Sequence, residues 1–76
     1  MQVDILTPDT TLFSGDAKIV TLPGVQGSFQ IMNNHAPMIS ALSTGVVVID
    51  NGSEKKEFNV KGGIVEVVNN KIVILA

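Results

Sequence analysis

Few residues of this sequence could do chemistry. Cysteine is absent, His35 is the one histidine, and the acidic side chains number seven. A nucleophilic triad needs a serine or cysteine beside a histidine, and no serine here lies in a nucleophile-elbow pattern. One histidine without cysteines offers too few ligands for a metal cage. The residue types therefore predict a chain that is not an enzyme and that has no catalytic residue, metal or cofactor.

The carboxylates do not predict acid–base chemistry either. Most lie at predicted turns or among opposite charges, as in the segment 54–57 (EKKE), which is typical of a solvated hairpin tip. Paired carboxylates also need a pocket, and a small β domain has little interior to provide one. The seven acidic residues are Asp4, Asp9, Asp16, Asp50, Glu54, Glu57 and Glu66.

Binding of phosphate, nucleic acid or lipid is equally disfavoured. The segment 23–27 (PGVQG) is followed by neither Gly-Lys-Ser/Thr nor a helix, so Pro23-Gly24 predicts a type II turn instead of a phosphate loop. The net charge is −2, arginine is absent and the aromatic residues are three phenylalanines. Such a surface lacks the basic, base-stacking character of a nucleic-acid binder. The longest apolar run, 46–49, is too short to cross a bilayer, so no membrane insertion is predicted.

The elements that must position any site are predicted to be strands. Short β-branched runs are separated by Gly, Pro and Asn, and no helical period persists over ten residues. The predicted strands are 2–7, 11–13, 17–22, 28–32, 38–42, 46–50, 55–60, 64–68 and 71–75. The 76 residues are therefore expected to form a single all-β domain, a small antiparallel β-sandwich or flattened barrel of about nine or ten short strands.

Two hairpins can be paired from their turns. Asn51-Gly52 favours a type I′ turn between strands 46–50 and 55–60. Asn69-Asn70 favours a tight two-residue turn, because Asn tolerates the left-handed conformation. Gly62-Gly63 predicts a bulge or a close backbone approach before this last hairpin.

The last hairpin has an unusual composition. A two-residue turn at 69–70 places Val65, Val67, Ile72 and Ile74 on one face, which is predicted to be core. The other face is about two-thirds apolar, whereas a solvent-facing sheet side is normally polar. Either neighbouring strands shield Ile64 and Leu75, or this face is a docking surface for another protein. Its residues are Ile64, Glu66, Val68, Lys71, Val73 and Leu75.

Five segments, in this order and spacing, resemble the N-terminal β-sandwich of the F-type ATP synthase epsilon subunit, the counterpart of the mitochondrial delta subunit. His35-Ala36-Pro37 is the most specific of them, and residue type alone favours a turn role for His35 over a role at an interface. The segments are 3–9 (VDILTPD), 12–15 (LFSG), 22–29 (LPGVQGSF), 35–37 (HAP) and 58–67 (FNVKGGIVEV).

The resemblance implies a roughly ten-stranded sandwich in the rotor's central stalk, docked to the gamma subunit and to the c-ring. By position, Thr7, His35 and Ser40 fall where the family faces gamma. Gln26 and Ser28 fall in the loop that approaches the c-ring. The implied location is the cytoplasmic face of the bacterial inner membrane, as a peripheral subunit of a proton- or sodium-translocating synthase.

The sequence departs from the family pattern in three ways. Asn33-Asn34 replaces the usual Pro-Gly, although Asn can adopt the same positive φ. Ser28 replaces a frequent acidic residue, which puts an ion pair with the c-ring in doubt. The 76 residues do not include the C-terminal helical hairpin of longer relatives, so the resemblance implies docking and coupling without that inhibitory arm.

A carrier module of the biotinyl or lipoyl type is the alternative. Asp16-Ala17-Lys18 resembles the lysine-centred modification motif, with Lys18 as the acceptor. The motif should lie at an exposed hairpin tip, whereas the sequence predicts that Lys18 begins a strand after a turn at 14–16.

Overall fold

The computed structural model describes all 76 residues and contains nine strands and no helix. It therefore holds no helix long and apolar enough to span a membrane. The strands are β1 (Gln2–Leu6), β2 (Thr11–Asp16), β3 (Ile19–Gly24), β4 (Gly27–Met32), β5 (Met38–Leu42), β6 (Gly45–Asp50), β7 (Lys55–Val60), β8 (Gly63–Val68) and β9 (Lys71–Leu75). The predicted all-β sandwich and all nine predicted strands are confirmed.

One continuous sheet runs in the order β2-β1-β9-β8-β5-β3-β6-β7, with β4 paired to β3. Every pairing is antiparallel except that of β1 with β9, which is parallel. The sheet curls until its two ends meet, where the rings of Phe13 on β2 and Phe58 on β7 lie 5.6 Å apart. The predicted antiparallel sandwich is therefore confirmed, with one parallel pairing, that of β1 with β9.

The core lies inside this curled sheet and is entirely apolar. Alternate residues of each strand point inward, as period-two sequences require. Along β8 and β9 the inward residues are Val65, Val67, Ile72 and Ile74, each at most 2% exposed, as predicted. The buried set consists of Met1, Val3, Ile5, Ala17, Val20, Leu22, Ile31, Leu42, Val47, Ile49, Val60, Val65, Val67, Ile72 and Ile74.

The predicted last hairpin is confirmed in register and in turn. Val65 pairs with Ile74 and Val67 with Ile72. Asn69 and Asn70 have φ values of 50° and 59°, which is the left-handed pair of a type I′ turn. Two asparagines achieve this without glycine because their short side chains tolerate that region.

The predicted type I′ turn at Asn51-Gly52 is wrong, although β6 and β7 do pair. The connection has four residues, since Asp50 pairs with Lys55, and only Gly52 has a positive φ, at 96°. The Asp50 side chain accepts from the Gly52 amide, and the Asn51 side chain accepts from the amides of Ser53 and Glu54. These side-chain bonds stabilise the wider loop in place of the tight one.

Two other turn predictions need correction. The type II turn expected at Pro23-Gly24 does not form, because both residues lie in β3 and the turn is made by the next two residues. The positive φ falls on Gly27, at 126°. The turn expected at 14–16 is also absent, because those residues continue β2 alongside β1.

The close approach predicted at Gly62-Gly63 is confirmed. Both glycines have positive φ, at 136° and 126°. A Cβ on Gly63 would overlap the carbonyl oxygen of Leu75. The glycine therefore lets β8 begin directly against the end of β9.

Candidate functional site

The outward side of β5, β8 and β9 is an apolar surface. Ile39 is 69% exposed, Leu75 51%, Ile64 47% and Val68 45%. In the ladder, Ala41 lies opposite Ile64 and Ile64 opposite Leu75, so the side chains form a continuous row across the three strands. We call Ile39, Ala41, Ile64, Val68 and Leu75 the apolar face.

Charged residues interrupt the apolar face at one point and border it at one corner. Glu66 lies in its middle, between Ile39 on β5 and Val73 on β9. Lys71 lies at its border, with its Nζ 3.7 Å from Asp4 Oδ2. The face is thus an apolar patch with a polar corner and one carboxylate in its middle; apart from that carboxylate, it has the apolar centre and polar border of protein interfaces.

The sequence left two interpretations of this face, shielding by neighbouring strands and docking of another protein, and the exposure of its side chains distinguishes between them. No neighbouring strand shields Ile64 or Leu75, since both are about half exposed. Exposed patches of this kind on small soluble proteins mark sites of interaction. The docking interpretation is therefore the one that the geometry favours.

His35 lies in the connection between β4 and β5 and makes the turn contacts predicted for it. Its amide donates to the Met32 carbonyl at 3.3 Å, and its Nδ1 lies 2.8 Å from the Ala36 carbonyl oxygen. Asn34 before it has a φ of 63°, so asparagine does preserve the turn. Its amide donates to Asn70 Oδ1 at 2.8 Å, which ties the His35 loop to the β8–β9 hairpin.

Thr7 organises the turn between β1 and β2. Its Oγ1 donates to the Thr10 carbonyl at 3.1 Å and accepts from the amides of Asp9 and Thr10. The side chain of Thr7 is therefore committed to its own turn. A shallow depression beside it is lined by Leu6, Thr7, Pro8, Leu75 and Ala76, which brings this turn to one end of the apolar face.

Ser40 does not lie on the apolar face. It pairs with the inward residue Val65, so it faces the inner side of β5, where it is half-buried. There it lines an open cleft of about 460 Å³ together with Gln26 and Ser28. The structure thus groups Ser40 with the two residues assigned to the c-ring loop and not with Thr7 or His35.

Gln26 and Ser28 lie at the hairpin between β3 and β4, and both are exposed. Gln26 is in the turn itself, and Ser28 pairs with Pro23 at the start of β4. A Cβ on Gly24 would lie 2.6 Å from the Gly27 carbonyl oxygen, so glycine is required where the hairpin closes. Neither side chain forms a hydrogen bond within the chain, which leaves both available to another molecule.

His35 and Thr7 lie at opposite ends of the apolar face. The His35 loop contacts the turn before β9, whereas Thr7 follows β1 at the level of Leu75. The five residues of β1 separate these levels by roughly 13 Å at about 3.3 Å per residue. The apolar face fills the sheet between them, so a partner that covers it would reach both.

Two strongly exposed aliphatic residues were missed by the sequence reasoning. Ile39 is the most exposed member of the apolar face, and Val25, 62% exposed, lies beside Gln26 at the hairpin tip. Ile39 carries no local signal, because its outward direction depends on the pairing of β5 with β8. The exposure of Val25 could have been predicted, since an aliphatic residue in a turn between two glycines does not point into a core.

Lys18 does not occupy a carrier site. It lies in the two-residue connection between β2 and β3, which are not paired with each other, so it is not at a hairpin tip. Its amide donates to the Asp50 carbonyl at 2.8 Å.

His, Asp and Glu side chains form no group of three that could hold a metal ion.

Comparison with known proteins identifies the family. The model of the ATP synthase delta/epsilon chain β-sandwich domain matches residues 1–76. The ATP synthase epsilon chain of Salinibacter ruber is 38% identical over an alignment 85 residues long, which covers 100% of this chain and 57% of the relative. That of Leptospira borgpetersenii is 36% identical over 99% of this chain and 59% of its own length. That of Chlorobium limicola is 40% identical over 97% of this chain and 85% of its own length.

Solved structures agree with this match. A chain of the Tetrahymena thermophila mitochondrial ATP synthase central stalk and c-ring superposes with a TM-score of 0.82 at 26% identity, over 97% of this chain and 60% of that one. A chain of the Euglena gracilis mitochondrial enzyme reaches 0.89 over 97% of this chain and 48% of that one. At 16% identity it shows likeness of fold alone.

This chain spans less than two thirds of the length of two of these relatives, 57% of one and 59% of the other. The family model covers the chain from its first residue to its last. The chain therefore belongs to the delta/epsilon family of ATP synthase chains, and its 76 residues correspond to the β-sandwich domain of that family.

Proposed function

We propose that this chain is a non-catalytic, coupling component of the central stalk of an F-type ATP synthase. It docks to the gamma subunit and to the c-ring, at the cytoplasmic face of the bacterial inner membrane and without entering the bilayer. Family membership supports the assignment to the synthase, and the solved neighbour from a central stalk and c-ring supports the position within it.

The apolar face is the observation that carries the docking proposal. Its large side chains are about half exposed or more in the isolated chain. Complete burial of a fully exposed aliphatic side chain contributes about 1.5–3 kcal/mol, so covering these half-exposed side chains contributes about half as much for each of them. The partner of this face is the gamma subunit, because the family's gamma-facing positions Thr7 and His35 lie at its two ends.

The hairpin between β3 and β4 is the proposed contact with the c-ring. Gln26 and Ser28 are exposed there and have no side-chain partner within the chain, so they can hydrogen-bond the polar loops of a membrane-embedded ring. Val25 at the tip adds an apolar contact. The proposed interface is neutral, because Ser28 replaces the acidic residue frequent in the family.

Ser40 lies apart from the proposed gamma contact on the apolar face. It lines the same cleft as Gln26 and Ser28, so its hydroxyl lies beside the proposed c-ring contact and away from the apolar face. The resemblance implies that Ser40 faces gamma, and this contact requires that gamma also reaches into the cleft.

Site-specific photo-crosslinking in the assembled synthase tests both contacts. A photoreactive amino acid at position 39 should form a crosslink to the gamma subunit, because Ile39 is the most exposed member of the apolar face. The same amino acid at position 26 should form a crosslink to a c subunit. Mass spectrometry of the crosslinked bands identifies each partner.

Val46 provides a matched control. It is an aliphatic strand residue, 40% exposed, on β6 and outside the apolar face. The photoreactive amino acid at position 46 should give no crosslink to the gamma subunit. Equal yields from positions 39 and 46, or a stator subunit as the product of position 39, would refute the docking proposal.

A further inference from the structure

Glu66 places a single carboxylate in the middle of the apolar face. Its partners in the ladder are Ile39 on β5 and Val73 on β9, and its neighbours on the same side of β8 are Ile64 and Val68. The side chain is exposed, so water solvates the carboxylate in the isolated chain. A protein that covers the apolar face removes that water, and a carboxylate left there without a partner opposes binding strongly.

The chain itself supplies no cation for Glu66, whose carboxylate forms no ion pair within the chain. Lys71 lies two positions along β9 from Val73, the ladder partner of Glu66. The Lys71 side chain turns the other way, however, and its Nζ lies 3.7 Å from Asp4 Oδ2. A cation that pairs with Glu66 must therefore come from another molecule.

The surface beside Glu66 is a shallow, mainly apolar depression of about 500 Å³ between the start of β5 and the end of β8. Glu66 is the only charged residue that lines it. Lysine and arginine side chains combine an apolar stem with a charged head, so the stem can pack in such a depression while the head reaches the carboxylate. The other residues that line it are Pro37, Met38, Ile39, Val67 and Val68.

We propose that the gamma subunit inserts one arginine or lysine side chain into this depression and pairs it with Glu66. The inference rests on the proposed docking of gamma to the apolar face, and it adds the chemistry that gamma presents there. The pairing also makes the face selective. A wholly apolar surface that docked on it would leave the Glu66 carboxylate buried without a counter-ion, which disfavours that partner.

Glu66→Gln tests the pairing in the complex. The substitution keeps the size of the side chain and removes its charge, so the cation of gamma is left buried and unpaired. The Kd of the chain for the synthase purified without it should rise about 30-fold or more, the effect of removing one partner of a buried charge pair. Titration calorimetry measures this Kd.

Glu57→Gln is the matched control for the loss of one negative charge. Glu57 is an exposed glutamate on β7, outside the apolar face. The Kd of this variant should stay close to that of the unaltered chain. Neither variant should lower the melting temperature of the isolated chain, since neither carboxylate forms an ion pair within it.

Glu66→Leu separates pairing from a role in solubility alone. The substitution makes the face wholly apolar, so it should strengthen docking if the carboxylate stays in water at the interface. With a cation of gamma opposite position 66, leucine should instead weaken docking at least as much as glutamine does, because it offers the cation neither a charge nor a hydrogen-bond acceptor.

Lys71→Gln tests whether gamma, and not this chain, supplies the cation. With a cation from gamma, the changes in binding free energy from Lys71→Gln and Glu66→Gln should add in the double variant. If Lys71 turned to Glu66 on docking, the double variant would bind no more weakly than Glu66→Gln alone. That result would overturn the proposal.

The outcomes distinguish this inference from the docking proposal on which it rests. Equal Kd values for Glu66→Gln and Glu57→Gln would overturn the inference and leave the docking proposal intact, as would tighter binding of Glu66→Leu. Failure of the unaltered chain to bind the synthase would refute the docking proposal and the inference together.

Discussion

At the scale of single residues, Asp4 shows how the polar edge of the sheet is ordered. Its Oδ1 accepts from Ser14 Oγ at 2.8 Å and from Gln2 Nε2 at 3.0 Å, and Lys71 lies beside Oδ2. These hydrogen bonds, the one from Ser14 above all, lower the pKa of Asp4 below its ordinary value of 3.8. The charged form is therefore favoured by folding.

The direction of this pKa shift fixes its effect on stability. Because the pKa of folded Asp4 is lowered, its contribution to the free energy of unfolding is complete above about pH 3.8 and is lost as the pH falls through the folded value. Ser14→Ala should raise the pKa of Asp4 toward 3.8, as measured by NMR titration of the carboxyl carbon. Ser28→Ala, which removes a distant hydroxyl, should leave that pKa unchanged; an equal change in both variants would contradict the assignment to Ser14.

Single residues were predictable where the signal is local. The turn role of His35 and the positive φ of Asn34 follow from the intrinsic preferences of those residue types, and the structure confirms both. The hydrogen bond from the Asn34 amide to the Asn70 side chain could not be predicted, because the two residues are 36 positions apart in the sequence. No local property of Asn34 indicates that partner.

At the scale of elements, Gly63 determines how β8 meets β9. It has a φ of 126°, and a Cβ there would overlap the Leu75 carbonyl oxygen. Gly63→Ala should therefore lower the free energy of unfolding by about 3 kcal/mol or more, through backbone strain and the clash together. Urea denaturation measures the loss.

Gly27 offers a close control for this prediction. It has the same φ of 126°, but a Cβ there would have nothing within 4 Å. Gly27→Ala should cost only the backbone strain, about 1–2 kcal/mol. If the two variants lose equal stability, the close approach of Gly63 to Leu75 contributes nothing measurable.

The elements differ in how far the sequence determines them. The turn at Asn69-Asn70 and the register of its strands are local, so both were predicted correctly. The connection after Asp50 was predicted as too tight, because its side-chain hydrogen bonds compete with the backbone preference of Asn-Gly. The pairings of β1 with β9 and of β5 with β8 join distant segments, and the outward direction of Ile39 depends on the second of these.

At the scale of the whole molecule, a contact between two aromatic rings closes the sheet. Phe13 and Phe58 lie on its two terminal strands with ring centroids 5.6 Å apart, and Lys56 Nζ lies 5.7 Å from the Phe13 ring. No strand ladder joins β2 to β7. Packing of side chains therefore joins β2 to β7, whereas backbone hydrogen bonds join neighbouring strands elsewhere in the sheet.

A double-mutant cycle can measure this closure. Phe58→Ala should cost about 2 kcal/mol, less than a fully buried phenylalanine, because the ring is only half-buried. Combined with Phe13→Ala, it should show a coupling of about 0.5–1.5 kcal/mol in the free energy of unfolding. Phe29→Ala, which removes a half-buried ring outside the pair, should be additive with Phe58→Ala; additivity in both cycles would show that the rings do not interact.

The hydrophobic content of the chain can be explained at the scale of the whole molecule. Hydrophobic residues make up 45% of a chain that has only fifteen buried positions, so many of them must lie outside the core. The apolar face accounts for five of these residues. Composition alone does not locate the exposed apolar residues, since their location depends on strands that are distant in sequence.

The parallel pairing of β1 with β9 has a consequence for the order of folding. β1 is synthesised before the other eight strands, yet one of its two neighbours in the sheet is β9, the last of the nine to be synthesised. Until β9 is available, the β1–β2 hairpin has one edge without a partner and an inner face without a core. Closure of so long a loop is slow, and all-β domains rich in such contacts fold in about milliseconds to seconds. The nascent domain must therefore remain open, and vulnerable to aggregation, until its final strand has been made.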